Sequence, residues 1–260
     1  MHVFVMCDME GISGICRESQ VIPGIDAAHY AAGRKYMTWD VNACVAGCMA
    51  GGAKRVVVRD AHYMGYNLIW EELDPRAEYV QGATVRERMP DIRSFDGLIL
   101  LGYHAMAGVP EAILEHTMSP GRWQNFYING VNSGEFAIDA GIAGDHGVPT
   151  IMVSGDDKLC REARKFVPNI VTVQVKKSLA LEGGRLLPKE RALQLIREGA
   201  ERACREYRSI KPYKVKKPVR MRLEVVSRAR LPIGRPDVKI LDGRTYEVQG
   251  RTVEEALKKL

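Results

Sequence analysis

Short apolar, β-branched runs alternate with helical patterns along most of the chain, and this alternation constrains the fold more than any other feature. Six runs are predicted as strands: residues 3–7, 55–59, 97–102, 126–129, 150–154 and 170–175. Four stretches have helical patterns: residues 31–49, 135–144, 157–166 and 188–207. Strands that alternate with helices are typical of a parallel sheet. We therefore predict an α/β layered fold, with a largely parallel sheet flanked by helices.

The pattern changes after Tyr207. A Lys- and Pro-rich connector at 211–218 is followed by a predicted strand at 219–226, a short strand at 245–248 and a closing helix at 252–260. This predicts a smaller C-terminal α+β portion. We expect residues 1–180 to form the main α/β domain. Residues 181–260 would then form a helix and a small α+β lobe packed on the first domain.

Composition and charge exclude several classes of protein. Of the 260 residues, 46% are hydrophobic, which is enough for one large core or for a main domain with a smaller lobe. The net charge is +6, but we find no nucleic-acid motif, so a solvated basic surface is the better interpretation. No apolar run approaches the ~20 residues of a membrane span. The N-terminal segment lacks signal-peptide features, which predicts a cytoplasmic protein.

Two acids, Asp8 and Glu10, come directly after the first predicted strand. Loops at the carboxyl ends of parallel strands are where α/β folds place their ligands. Side chains two residues apart can point both carboxylates at one centre, and Asp can bridge two cations. Alone, the pair is a weak signal, because solvated loop acids or a helix cap would look the same.

Two histidines, His62 and His104, follow the second and third predicted strands. A lone histidine is more often structural than a ligand. Two at equivalent strand ends, with the two acids at a third strand end, favour a metal site, since neutral imidazole and carboxylate together suit zinc. Asp60 is predicted either to orient His62 from behind or to cap a turn.

Glu135 follows the strand at 126–129 and opens a predicted helix, where an acid is also favourable in itself. Five candidate donors exceed the four ligands of one tetrahedral zinc and would suit two metals sharing a carboxylate: Asp8, Glu10, His62, His104 and Glu135. The same set accepts manganese or cobalt. His116, in a segment without clear periodicity, could stabilise an oxyanion or carry a proton to a leaving amine. All six residues lie in 1–180, which would make this the metal-binding catalytic domain.

Five separated motifs resemble the family of zinc-dependent D-aminopeptidases. They are MCDMEGISG near the N-terminus, DAH at 60–62, LGYHAMAG at 101–108, EHTM at 115–118 and FYINGVNSGE at 126–135, and VPTIMVSGDD at 148–157 fits as well. Order and spacing agree with the family. Ala61 stands where a serine can stand, and Glu115 replaces the serine before His116. The chain after about residue 180 matches more loosely.

The resemblance implies a two-zinc hydrolase. It implies zinc ligands at Asp8, Glu10, His62, His104 and Glu135, and a catalytic histidine at His116. It further implies an aminopeptidase that releases N-terminal D-amino acids, such as D-alanine, from short peptides, in a self-compartmentalising homo-oligomer, a ring-shaped decamer. Two alternatives stay open. One is another two-metal amidase or phosphoesterase, and the other is a non-enzymatic metal-binding protein with a vestigial site.

The apolar segment 106–114 bears on assembly. It lies in a predicted loop and carries Ala, Val, Ile and Leu side chains that a monomer rarely exposes. Because it lies between His104 and His116, an interface there would shape the entrance to the site. The alternative is that the segment folds back onto its own core.

Overall fold

The computed structural model describes residues 1–84 and 87–260. In chain order the strands are β1 (His2–Cys7), β2 (Arg55–Asp60), β3 (Glu78–Val80), β4 (Gly97–Leu101), β5 (Trp123–Ile128), β6 (Val131–Asn132), β7 (Thr150–Asp156), β8 (Val171–Ala180), β9 (Gly183–Leu186), β10 (Val219–Val225), β11 (Val238–Ile240) and β12 (Thr245–Gly250). The α-helices are α1 (Ala27–Ala50), α2 (Glu135–Asp145), α3 (Asp157–Phe166), α4 (Lys189–Glu206) and α5 (Val253–Leu257). These elements form two sheets with covering helices.

The first sheet has seven strands in the order β3-β2-β1-β4-β7-β8-β9, and all neighbours are parallel except β8 and β9. Residues 3–7 of β1 are fully buried, as expected for a central parallel strand covered on both faces. Helix α1 packs against α4 so closely that a Cβ atom on Gly47 would lie 2.2 Å from the carbonyl oxygen of Arg197. The α/β class predicted from the sequence is confirmed.

The second sheet is antiparallel, with five strands in the order β11-β12-β10-β5-β6. The run at 126–129 was expected among the parallel strands. Most of it belongs to β5, which pairs with β10 in this second sheet instead. Helix α5 begins after Thr252, whose side chain accepts a hydrogen bond from the Glu255 amide.

The two sheets do not divide the chain at residue 180. Strand β9 and helix α4 follow that residue but belong to the first sheet and its cover, while β5 and β6 precede it and lie in the second sheet. The arrangement of the sheets does not test whether the chain forms separate domains. The division at 1–180 and 181–260 stays a prediction from the sequence. Within the described ranges, no helix combines the length and the apolar character needed to cross a membrane.

The segment 106–114 folds back onto the core of its own chain. Ala112, Ile113 and Leu114 are all buried in the isolated subunit. The Leu114 amide donates to the carbonyl oxygen of Leu181, which ties the segment to the turn between β8 and β9. Internal packing therefore holds for Ala112, Ile113 and Leu114. Met106, Ala107 and Val109 stay half-buried, so an interface at that part of the segment stays a prediction.

Candidate metal centre

Three loops meet at one edge of the parallel sheet, because β1 lies between β2 and β4. Asp8 and Glu10 follow β1, His62 follows β2 and His104 follows β4. Glu135 reaches the same place from a different direction, as the first residue of α2. The structure thus brings the five predicted donor side chains together, all of them buried.

Asp8 stands at the centre of this cluster. Its Oδ1 atom lies 3.0 Å from His62 Nδ1, and its Oδ2 atom lies 3.4 Å from His104 Nε2. Two donor groups result. In the first, Glu10 Oε2 lies 3.1 Å from His62 Nδ1, and in the second, Glu135 Oε1 lies 3.4 Å from His104 Nε2. The two oxygens of the Asp8 carboxylate therefore face different donor groups, one with His62 and the other with His104.

His116 joins the second group. Its ring stacks on His104, with ring centroids 3.9 Å apart, and its Nε2 atom lies 3.7 Å from Glu135 Oε1. The backbone on both sides of it is left-handed, with φ of 50° at Leu114 and 58° at Met118, a conformation that surrounding contacts must stabilise. One such contact is the hydrogen bond from the Met118 amide to Glu135 Oε1, at 2.7 Å.

A backbone carbonyl fixes the orientation of each of the three imidazole rings. The contacts are His62 Nε2 to Val21 at 2.9 Å, His104 Nδ1 to Ala105 at 3.0 Å and His116 Nδ1 to Leu114 at 2.9 Å. Because a carbonyl oxygen only accepts, the contacting nitrogen carries a hydrogen. The other nitrogen of each ring faces the carboxylates, and in the neutral ring its lone pair is available to a cation bound there, as in metal-ligating histidines.

The spacing of the donor atoms fits a bound cation. Two ligand atoms about 2.0–2.1 Å from one zinc ion lie about 3.3 Å apart at the tetrahedral angle. The separations between Asp8 and the two histidines are 3.0 and 3.4 Å. Glu10 Oε2 and His104 Nε2 are buried and have no hydrogen-bond partner among the described residues. Unpartnered buried polar atoms are rare in proteins, and a cation bound beside each of these atoms would satisfy it.

Charge within the cluster supports the same conclusion. Burial opposes ionisation of Asp8, but attraction to the imidazoles of His104 and His62 outweighs it and holds the pKa of the carboxyl well below its usual range. Burial likewise opposes ionisation of Glu135, yet His104 lowers its pKa to about 2. The carboxylates in turn raise the pKa values of His62 and His104 despite their burial. Binding a divalent cation would therefore displace protons from the imidazoles.

Asp60 caps a turn and does not orient His62. Its carboxylate accepts hydrogen bonds from the Asn67 amide, the Asn67 side chain and the Leu68 amide. The ring nitrogen of His62 that points away from the carboxylates contacts Val21 instead. Of the two interpretations of Asp60 that the sequence left open, turn capping is the one the structure shows.

Sequence reasoning missed a charged network behind the cluster. The Arg88 guanidinium donates two hydrogen bonds to Asp139, at 2.5 and 3.0 Å, and lies 3.6 Å from Glu135 Oε2. The Tyr103 hydroxyl donates to the same Asp139 carboxylate at 2.6 Å. Asp139 lies one turn after Glu135 in an otherwise apolar stretch of helix, and that isolated acid was the available signal. Arg88 lies in an irregular segment without a motif.

The donor cluster forms part of the wall of a cavity of about 890 Å³, within the range of small-molecule sites. Acids outnumber the one arginine, Arg88, among its lining residues: Asp8, Glu10, Glu18, Glu115, Glu135 and Glu182. Apolar and aromatic side chains, among them Trp123, Leu114 and Ile22, complete the wall. A cavity of this size accepts a small molecule, and its acids favour ligands that carry a positive charge.

Glu162, on α3, lies close behind the loop that follows His104. Its Oε2 atom accepts a hydrogen bond from the Met106 amide at 2.9 Å, while its Oε1 atom is buried without a hydrogen-bond partner in the described chain. Burial raises the pKa of Glu162 to about 7. The folded state therefore holds a proton that the unfolded chain releases at lower pH.

We expect this carboxyl to make stability pH-dependent. The contribution of the protonated carboxyl to the free energy of unfolding is fully present below the unfolded pKa of 4.5. It is lost as pH rises through about 7, a change of up to about 3 kcal/mol. In Glu162→Gln, the fall in the free energy of unfolding between pH 5 and pH 8 should shrink accordingly. Denaturant titrations at the two pH values measure this. The exposed Glu198→Gln is the control, and an unchanged fall in Glu162→Gln would contradict the expectation.

Comparisons with known proteins agree with the fold and with the family that the sequence motifs resemble. A family model described as D-aminopeptidase matches residues 1–260. The D-aminopeptidase of Bacillus subtilis (strain 168) is 34% identical over 216 residues, which cover 82% of this chain and 77% of that protein. The Zn-dependent D-aminopeptidase DppA from Bacillus subtilis, described as a self-compartmentalizing protease, superposes with a TM-score of 0.94 at 31% identity, covering 99% of this chain and 94% of that one.

The fold and these matches define the class of the protein: it is a peptidase, and so a hydrolase. More narrowly, the chain belongs to the D-aminopeptidase family. The family predicted from the five sequence motifs is confirmed.

Proposed function

We propose that this chain is a zinc-dependent aminopeptidase with two ions per subunit, which releases N-terminal D-amino acids such as D-alanine from short peptides. The observation that carries the proposal is the position of Asp8, whose two oxygens face two separate donor groups. The proposed zinc ligands are Asp8, Glu10, His62, His104 and Glu135. Zinc is the metal on which the similar B. subtilis enzyme depends.

Zinc held by these residues supplies a water nucleophile at neutral pH and polarises the scissile carbonyl. The chain itself contributes geometry and proton transfer. Asp8, bonded through Oδ1 to the Met9 amide at 2.9 Å, is held in the orientation that serves both donor groups. The network behind Glu135 holds that carboxylate in place, since the Arg88 guanidinium lies 3.6 Å from its Oε2 atom.

His116 is the proposed catalytic residue. The Leu114 carbonyl fixes the hydrogen on Nδ1, which leaves Nε2 free to take a proton or to give one. The side chain is 14% exposed and lines the cavity, so it can reach a substrate. We propose that it stabilises the developing oxyanion or transfers the proton to the leaving amine.

The acid-lined cavity supports a substrate with a free N-terminal ammonium. Glu18, Glu115 and Glu182 line it outside the proposed zinc ligands, and their carboxylates favour a cationic group there. The same acids would repel a phosphoester dianion. A two-metal phosphoesterase is therefore the less favoured alternative, although its metal ligands would be the same.

We also propose that the chain forms a homo-oligomer, a ring-shaped decamer, in which access to the cavity is restricted. A segment directly after His62 exposes large apolar side chains: Tyr63 at 67%, Met64 at 62%, Tyr66 at 64% and Trp70 at 72%. Such a patch is typical of an interaction surface. Tyr63 also lines the cavity, so subunit contacts there would narrow its entrance. The similar B. subtilis structure is described as self-compartmentalizing.

One set of measurements tests these proposals. We expect metal analysis to find two zinc ions per chain, and chelation to abolish the hydrolysis of D-alanyl peptides until zinc is restored. D-alanyl peptides should react at least about tenfold faster than their L-alanyl counterparts, as a misplaced methyl group allows. Light scattering should give a mass well above the 29.0 kDa of one chain.

Each outcome has a contrary result. A single zinc ion per chain would contradict the proposed two-zinc site. Equal rates on both stereoisomers would remove D-specificity, and turnover of a generic phosphoester alone would establish the alternative function. A fully active monomer would show that assembly is not required.

A further inference from the structure

Lys176 lies on β8 with a fully buried side chain, 2% exposed. Its ammonium donates hydrogen bonds to three carbonyl oxygens of one turn, those of Glu10 at 2.6 Å, Ile12 at 2.9 Å and Ile15 at 2.7 Å. A lysine ammonium has three N–H groups, so this single turn satisfies all of them. In the part of the chain that the structure describes, no carboxylate forms an ion pair with it.

The same turn is held from its other side by groups that accept hydrogen bonds. The Ser13 amide and hydroxyl donate to Asp40 at 2.8 and 2.6 Å, and the Gly11 amide donates to Gly102 at 2.7 Å. There is no space for a side chain at Gly11, where a Cβ atom would lie 1.9 Å from the carbonyl oxygen of Tyr103. The turn 10–15 is thus fixed through both its donors and its acceptors.

A buried ammonium without an ion pair is unfavourable in itself, since its hydration is lost. A methionine would fill a similar volume without that cost. Three carbonyl oxygens directed at one point would, however, repel one another without a cation between them. The ammonium of Lys176 therefore makes this tight turn possible, and the turn begins at Glu10.

The turn matters for the donor cluster because Glu10, its first residue, is one of the candidate metal ligands. The Glu10 carbonyl accepts from Lys176, while its Oε2 atom lies 3.1 Å from His62 Nδ1 without a hydrogen bond. A carboxylate with no such bond on that oxygen depends on its backbone for direction. Moving the turn would move the Glu10 carboxylate away from the donor cluster.

We propose that Lys176 is a positioning residue of the metal centre, whose ammonium closes the turn 10–15 and so aims the Glu10 carboxylate at the cation. The inference rests on the proposed two-zinc function. It assigns Lys176 to the ion held by Asp8, Glu10 and His62 rather than to the ion beside His104. Loss of the ammonium should therefore weaken one ion much more than the other.

The first test compares Lys176→Met with Lys177→Met. Lys177 is the exposed neighbour on the same strand, so its substitution controls for the loss of one positive charge. In Lys176→Met, chelator competition should show one zinc ion bound about 10–100-fold more weakly, the usual effect of removing a group that orients a ligand. The second ion should keep its affinity, and Lys177→Met should match the unmodified protein at both.

The second test restores the ammonium from solution. Lys176→Ala leaves a space beside the three carbonyl oxygens, which butylammonium can enter with its N–H groups. Added butylammonium should strengthen binding of the weakened zinc ion at least about tenfold, as expected if it replaces the lost orienting group. Tetramethylammonium has no N–H group and should have no effect. A role in packing alone would not produce this difference.

Zinc binding by the unmodified protein is measured first. If that protein binds no zinc pair, the proposed function fails. If it binds two ions and Lys176→Met binds both as tightly, or butylammonium restores nothing to Lys176→Ala, only the positioning role fails. Should these variants not fold, Lys176→Arg is used, because its planar guanidinium cannot direct three N–H groups at one turn in the same way. Normal zinc affinity in that variant would overturn the inference.

Discussion

Replacement of Asp8 with asparagine should abolish binding of the proposed zinc pair and lower kcat/KM for a D-alanyl peptide by on the order of 10⁴-fold. Asparagine keeps the shape of the side chain but offers one oxygen where the carboxylate offers two. The loss is expected to be this large because Asp8 faces both His62 and His104, so that neither donor group keeps its full set of ligands. Metal analysis and steady-state kinetics on the same preparation measure both effects.

A charge-matched control separates this effect from general damage. Asp237 is exposed and far from the cluster in sequence, and Asp237→Asn should leave zinc content and kcat/KM unchanged. If Asp8→Asn kept two tightly bound ions, Asp8 would not bridge them. The shared carboxylate, and with it the main support for two ions, would then be lost.

Replacement of His116 with alanine should have the second largest effect. We expect kcat to fall by about 10²–10⁴-fold, the range for loss of a general acid or an oxyanion donor, with zinc content nearly intact. The physical reason is that the His116 side chain lines the cavity, and its Nδ1 atom is bound to the Leu114 carbonyl, which leaves Nε2 for the reaction. Metal analysis measures the zinc content, and single-turnover kinetics measure the rate of the chemical step separately from substrate binding.

The zinc content of His116→Ala is the decisive measurement, because the donor atoms of His104, His116 and Glu135 all lie within 4.8 Å of one another. Loss of zinc in proportion to activity would make His116 a ligand. Unchanged turnover would remove it from the mechanism. The exposed His146→Ala serves as the control and should retain both zinc and activity.

The donor cluster was accessible to sequence reasoning because local signals placed its residues. Buried parallel strands are short apolar runs, and their carboxyl ends can be located to within a residue or two. Asp8, His62 and His104 follow three such ends, and the structure brings them together because those strands are neighbours. The sheet to which β5 belongs was not accessible, because its partner β10 lies far away in sequence and no local pattern identifies the pairing.

Lys176 shows why the buried charges were missed. Lys176 and Lys177 look alike in the sequence, and a pair of lysines ordinarily indicates a solvated surface. The register between β7 and β8 shifts between Gly155 and Asp156, and in β8 both Val175 and Lys176 are buried, which interrupts the simple alternation. That irregularity depends on tertiary pairing. The same holds for Arg88, whose role follows from the position of Asp139.

The pairing of β5 with β10 has a consequence for biosynthesis. A chain emerging from the ribosome presents β5 long before residues 219–225 exist, so one edge of that strand lacks its partner while translation continues. Helix α1 likewise lacks its packing partner until α4 has been synthesised. Strand β5 can therefore pair along both of its edges only late in translation. The second sheet, unlike the centre of the first, is completed only after nearly the whole chain has been made.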